Sequence, residues 1–293
     1  MNQKNWKVVT KHFCLLGESP VWDNKQKRIF WIDIMNGMIQ YYYPASGKFG
    51  TFQLGQTIGS IALKRSGGLI AALKSGFAEI DLNRETIRLI SEVETNLPDN
   101  RFNDGKCDPI GRFWAGTMSI SNTPHAGSLY VLEKNFVCTK IVGVSCSNGL
   151  AWSPDHKTLY YIDTPTSSVV AYDYNIITGN ITNKNIVINI PKEEGYPDGM
   201  TIDKEGMLWI ALWGGWKIAR YNPRTGKQLY QFSLPVSRVS SCIFGGDTLE
   251  DIYITSARTG LSEDDLKNQP LSGSLFVIKK SGFKGMDTFE FNG

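Results

Sequence analysis

Histidine is scarce in this chain: 293 residues contain His12, His125 and His156 and no others. None stands at metal-ligand spacing from another, which excludes a histidine-built zinc site. A Ser-His-Asp triad needs one of them beside an exposed serine. His156 lies in the turn SPDHKT, where solvation is expected, and His125 lies in a long loop from which it can approach a substrate. The five cysteines, Cys14, Cys107, Cys138, Cys146 and Cys242, include no CxxC pair. That excludes a thiol-based zinc or redox motif, and reduced, packed cysteines are expected. There is no basic run, and the net charge is only +3, so nucleic acid is not an expected partner. The opening MNQKNWKVVTKHFCLL lacks the apolar stretch of a signal peptide, and no segment has the length to cross a bilayer. A cytoplasmic protein without a membrane partner, monomeric or weakly dimeric, is the expectation. No stretch of ten residues carries a helical period, which argues against a TIM barrel or a doubly wound sheet. No glycine-rich phosphate loop opens a helix, and Gly67-Gly68 and Gly245-Gly246 read as hairpin turns.

What is abundant points to strands and tight turns. The chain has 29 Gly, 14 Phe, 12 Tyr and 8 Trp. One pattern of apolar strand, turn and second strand recurs along it. It appears as VWDNKQKRIFWIDI from Val21, SIALKRSGGLIAAL from Ser60 and GKCDPIGRFWAGTM from Gly105. It returns as GLAWSPDHKTLYYID from Gly149, GMTIDKEGMLWIALW from Gly199 and SCIFGGDTLEDIYIT from Ser241. A third strand with apolar–polar alternation follows each copy, such as MIQYYYP from Met38 and VVAYDYN from Val169. Weaker strands follow most of these, as in TFQL from Thr51 and TIRLISEV from Thr86. Six such units, repeating at about 40–50 residues, predict an all-β fold, a six-bladed β-propeller with four-stranded antiparallel blades. Residues 1–293 then form a single domain. The strand near Trp6–Phe13 is expected to close the ring against the last blade, hiding both sheet edges. Thr117–Gly127 and Ser256–Gly273 exceed the repeat and are candidate rim loops. The WGGW stretch, Trp213–Trp216, either walls the channel or packs between blades.

One address in the repeat carries oxygen donors. Glu18, Gly59, Asn103, Asn148, Asp198 and Ser240 each precede by five residues an equivalent position: Asp23, Lys64, Asp108, Ser153, Asp203 and Gly245. All six fall at the start of the innermost strand and should ring one mouth of the channel. Such residues before a strand also serve as turn caps, but four of them in one register point to a shared site. Two carboxylates facing each other repel, and a cation resolves that repulsion. Two carboxylates and two carboxamides suit a hard divalent cation such as Ca²⁺, Mg²⁺ or Mn²⁺.

RFNDGKCDPIGRFWAGTM, SNGLAWSPDHKTLYYID, YPDGMTIDKEGMLWIA and GESPVWD together resemble the regucalcin (senescence marker protein)/gluconolactonase family. The resemblance runs from Gly17 to the C-terminus. It implies a six-bladed propeller with a central divalent cation and the opening of sugar-acid lactones. It implies Glu18, Asn148 and Asp198 as metal ligands, with Asp198 also the catalytic acid/base. It places Arg101 and Asn103 against substrate oxygens. The cation implied is Ca²⁺, Zn²⁺, Mn²⁺ or Mg²⁺, and the partner is a small sugar lactone. The chain departs from the family pattern in one loop. Where regucalcin-like members carry a glutamate that meets substrate hydroxyls, this sequence reads Met118-Ser119-Ile120-Ser121-Asn122. Ser121 is the candidate to replace part of that contact. Organophosphate or phosphoester hydrolysis on the same site, non-catalytic calcium binding, and a protein-interaction platform are the rival readings.

Overall fold

The structure, a computed structural model, describes residues 5–134 and 136–293. Six four-stranded antiparallel sheets make up the chain. Five are formed by consecutive strands, and their first strands are Gly17–Asp23, Ile58–Leu63, Asn100–Cys107, Ser147–Trp152 and Tyr196–Ile202. The sixth begins with Val239–Gly245 and ends with a strand from the other end of the chain. There Lys7–Val8 pairs antiparallel with Phe276–Ile278. This is the expected ring closure, with Lys7–Val8 as the outermost strand of the last blade. First strands of neighbouring blades contact one another all the way round, so they surround one axis. Among the described residues no helix is long and apolar enough to cross a membrane.

Burial falls from the axis outward. Gly17–Asp23 is buried at every residue, whereas the fourth strand of the same blade, Lys48–Gln53, is half-buried or exposed throughout. A strand covered on both faces tolerates a near-continuous apolar run, and an outer strand does not need one. The apolar clusters lie between blades. Phe30 and Ile32 of the first blade, for example, pack with Ile61, Leu63 and Ala71 of the second.

In four blades the residue five positions after the channel address fixes the hairpin turn with its side chain. Asp108 accepts the amides of Ile110, Gly111 and Arg112 at 3.2, 3.0 and 2.9 Å. Its other oxygen accepts from Arg112 Nε at 2.6 Å, Trp114 Nε1 at 3.0 Å and Tyr174 Oη at 2.7 Å. Asp203 repeats the arrangement with the amides of Glu205 and Met207, Trp209 Nε1 and Arg220 Nε. Asp23 accepts from Lys25 N and Gln26 N, and the Ser153 hydroxyl accepts from Lys157 N and Thr158 N. A buried carboxylate with this many donors is a structural pin. Removing it strands a buried guanidinium as well as the turn amides. Asp108→Ala is therefore expected to lower the unfolding free energy by about 3–5 kcal/mol. Denaturant unfolding reads this as a lower midpoint at unchanged m-value. A loss below about 1 kcal/mol would show that Arg112 and the turn do not depend on the carboxylate.

Candidate active site

Each first strand carries a β-bulge at the channel address. Pairing with the second strand skips from Glu18 to Val21, Phe102 to Gly105, Ser147 to Leu150 and Pro197 to Met200. The partner strand advances one residue fewer each time. The remaining two blades skip from Ile58 to Ser60 and from Val239 to Ser241, leaving Gly59 and Ser240 unpaired. A bulge bends the strand and re-aims its side chains. This is the local reason that Glu18, Asn103, Asn148 and Asp198 come together at one end of the axis. Gly59 supplies no donor because no side chain fits there: a Cβ would meet the Phe102 carbonyl carbon at 2.4 Å and Asn103 O at 2.5 Å. The Ser240 hydroxyl is committed to Gly17 O at 2.5 Å, across the seam of the ring.

The four donors, with Arg101, line a cavity of about 460 Å³ that opens at the strand starts. Each donor is at least nine-tenths buried. A relay of hydrogen bonds orients the two amides. Arg101 donates to Asn103 Oδ1 at 2.8 Å, and Asn103 Nδ2 donates to Asn148 Oδ1 at 3.1 Å and Ser147 O at 2.8 Å. Asn148 Nδ2 donates to Thr164 Oγ1 at 2.7 Å. The Thr164 hydroxyl proton goes to Pro197 O at 2.7 Å, so its oxygen can only accept from Asn148. The Asn148 carbonyl oxygen is thereby turned toward Asn103 and the cavity.

Further along the same strands the channel continues as a smaller void of about 60 Å³ walled by Asp104 and Lys106, among others. Its far end is covered by the C-terminal segment. That segment hydrogen-bonds Lys204 and Leu249 on one side of the axis and Leu63 and Gly111 on the other, and its Met286–Phe289 portion walls the void. The chemistry belongs to the wider, open cavity, because that is where the oxygen donors meet solvent.

Three buried carboxylates face one another here: Glu18, Asp104 and Asp198. Each accepts a hydrogen bond from the amide of the next residue. Burial, then repulsion from Asp198 and Asp104, pushes Glu18 well above the usual carboxylate range. Burial and then Asp104 do the same to Asp198, and burial raises Asp104. The cations facing them are Arg101 and Lys106, each with its pKa lowered by burial. The Lys106 ammonium donates to Met200 O at 2.5 Å. Two cations against three carboxylates leave negative charge to be neutralised by protons or by a metal ion. Among the described residues no three His, Cys, Asp or Glu side chains make a ligand set by themselves. The Asn148 oxygen completes one with Glu18 and Asp198, and this all-oxygen set fits a hard divalent cation.

The sequence-predicted residues do not all meet. Arg101, Asn103, Asn148, Asp198 and Glu18 share the cavity wall, and Ser121 does not. The Ser121 hydroxyl turns away to Asp99 Oδ1 at 3.0 Å, while its neighbours Ile120 and Asn122 line the cavity. His125 is also outside, with Nδ1 at 3.0 Å from Gly143 O. Trp213 walls the cavity under the Arg238 guanidinium, 5.0 Å from the ring centroid, and Trp216 does not. From the loop Ser256–Gly273, Thr259 and Gly260 reach the rim. Asp104, Lys106 and Thr164 escaped the sequence reading. An acid beside Asn103 should face away under strict alternation, and only the bulge brings both inward. Thr164 comes from the end of another strand, with no linear signal.

The family model of the SMP-30/gluconolactonase/LRE-like region matches residues 16–258. The chain belongs to this family. Among curated relatives, Xenopus laevis regucalcin is 40% identical over 284 residues, covering 95% of each chain. Among solved structures, a luciferin-regenerating enzyme superposes with TM-score 0.93 at 29% identity, covering 98% of this chain and 99% of its own. A calcium-binding protein, regucalcin, from Agrobacterium tumefaciens also gives TM-score 0.93, at 28% identity over 98% and 97% of the two chains. The SMP-30/gluconolactonase/LRE-like match spans five of the six channel-address blades in full and reaches Arg258 in the last.

Two outcomes follow from the electrostatics. Glu18 and Asp198 have folded-state pKa values above their unfolded ones, so they favour folding most at low pH. That contribution is lost as pH rises from about 4 through the raised folded values. In chelator, wild-type Tm should fall over this range, and Glu18→Gln should flatten the fall and raise Tm at pH 8. Parallel pH–Tm curves for the two proteins would remove Glu18 from the charged cluster. Thr164→Val removes the acceptor that orients Asn148. It should weaken divalent-cation binding about 10- to 100-fold by calorimetry, and unchanged affinity would count against the relay.

Proposed function

We propose that the protein is a divalent-cation-dependent lactone hydrolase. The observation that carries this reading is the convergence of Glu18, Asn148 and Asp198 beside Arg101 at the floor of one open cavity. Those three side chains are the ones that would hold the cation. When bound, the cation supplies Lewis acidity toward the lactone carbonyl and charge neutralisation for the oxyanion. Asp198 removes the proton from the attacking water and later returns a proton to the departing ring oxygen. Without a cation, burial and the neighbouring Asp104 raise its pKa, and ligation of a divalent cation would offset that rise. Arg101 points a guanidinium into the cavity and steers substrate oxygens, with Asn103 held against it at 2.8 Å. The covering tail limits bulk water at the far end of the channel. Sugar-acid lactones are the first substrates to try, because the family name includes gluconolactonase. Relatives also carry the names regucalcin and luciferin-regenerating enzyme, so membership alone leaves the substrate open.

A second reading is calcium binding without catalysis, favoured by the description of the Agrobacterium relative as a calcium-binding protein. Arg101 serves both readings, because it starts the relay that orients Asn148 and also presents a guanidinium to the cavity where a substrate oxygen can meet it. One matrix separates the readings: Ca²⁺, Zn²⁺, Mn²⁺ and Mg²⁺ against glucono-, galactono- and arabinono-lactones and further lactones, with acid release as the readout. Hydrolysis is expected with at least one metal. Tight Ca²⁺ binding with no turnover on any lactone would favour the second reading. Asp198→Asn should cut kcat by at least about 10²-fold. A variant with wild-type kcat would take the proton transfers away from Asp198.

A further inference from the structure

The cavity is divided by polarity along its depth. Its floor holds Glu18, Asn103, Asn148 and Asp198, all buried, with Arg101 beside them. Its less buried wall is formed by Leu16, Met35, Ile120 and Trp213, with Met118 buried below them. Met35 and Ile120 are 48% and 47% exposed, so these large apolar side chains stand in water at the entrance. Exposed apolar groups gathered around a concave site mark a surface that is covered by an apolar partner.

The segment 118–122 builds part of this wall. Strand alternation sends Met118 and Ile120 to the cavity. Ser119 and Ser121 go to the opposite side, where both hydroxyls bond Asp99, at 2.5 and 3.0 Å. The hydroxyls that could have read a polyol are thus taken out of the site, and hydrocarbon stands in their place. Asn122 and Thr259 are the polar side chains left at the rim. A polyol chain seated there would lose water from several hydroxyls and regain few partners, which costs more than it returns. A hydrocarbon chain in the same place gains from burial.

We propose that the natural substrate is a lactone with a hydrocarbon substituent rather than a polyhydroxylated one. The ring and carbonyl lie on the oxygen-lined floor, and the substituent lies against Met35, Ile120 and Trp213. This rests on the lactonase reading and specifies its substrate class.

The test is a series of γ-lactones with substituents from methyl to hexyl, run beside glucono-δ-lactone on the cation-loaded protein. We expect kcat/KM to rise about threefold per added methylene, with the hexyl compound ahead of gluconolactone. A flat series, or gluconolactone ahead of the hexyl compound, overturns the proposal. If no lactone is hydrolysed, the lactonase reading fails, and the ligand preference is still decided by calorimetry. The open-chain acids 4-hydroxydecanoate and gluconate are titrated into the cation-loaded protein. Tighter binding of 4-hydroxydecanoate supports the apolar rim, and tighter gluconate, equal affinity or no binding of either acid overturns it. Ile120→Gln is a surface change that should not endanger folding. It is expected to lower kcat/KM for the hexyl lactone about fivefold more than for the methyl one. Equal effects on both would remove Ile120 from the substituent's path.

Discussion

One extra residue in each innermost strand is the constraint on which the site depends. A regular strand would send alternate side chains between the neighbouring blades, and the axis would see a smooth wall. The bulge breaks alternation at the same height in every blade. Donors from four sheets, far apart in sequence, then meet without any of them leaving a rigid element. The pinned hairpins at the other end of the same strands hold that height fixed. Asp108 and Asp203, each gripping turn amides, an indole and a guanidinium, keep a strand from sliding along its neighbour. A catalytic constellation gains most from supports that cannot shift by an ångström.

Charge balance is the second organising fact. Glu18, Asp104 and Asp198 repel one another in a place with little water, and Arg101 and Lys106 offset only part of that. The fold carries this strain because it is confined to one small region, surrounded by pinned strands and apolar packing between blades. The tethered ammonium of Lys106 sits deeper than the ligand set. Its fixed positive charge makes the deeper void unattractive to a cation, so a divalent ion held as proposed would sit at the Glu18, Asn148 and Asp198 level of the channel and not below it.

The fold was legible because the blades repeat. The inner strands and their turns carry apolar runs and hairpin residues that recur in step, so weak local signals reinforce one another. The outermost strands were read least well. Phe136–Val144 and Ile181–Asn189 are outermost strands, half-buried and mostly exposed respectively, and neither FVCTKIVGV nor ITNKNIVIN keeps a clean apolar–polar alternation. The donors were legible for the same reason as the fold, since a shared address survives divergence elsewhere. Asp104 was hidden by the assumption of strict alternation, and Thr164 by its position outside any repeat. Ser121 was placed one residue off the cavity wall, because a loop without a repeat partner gives no register. The covering role of the C-terminal segment left no mark in a search for strands, for it contributes isolated bridges at Lys64 and Asp203 and no sheet of its own.

That segment makes the channel a blind pit. A propeller open at both ends could let reactant enter on one face and product leave on the other. Here Met286–Phe289 closes one end, so both must use the same opening. Under the proposed lactonase reading, traffic is then sequential: a product acid holds the cavity mouth until it departs, and its escape is the step expected to pace each cycle once substrate is plentiful.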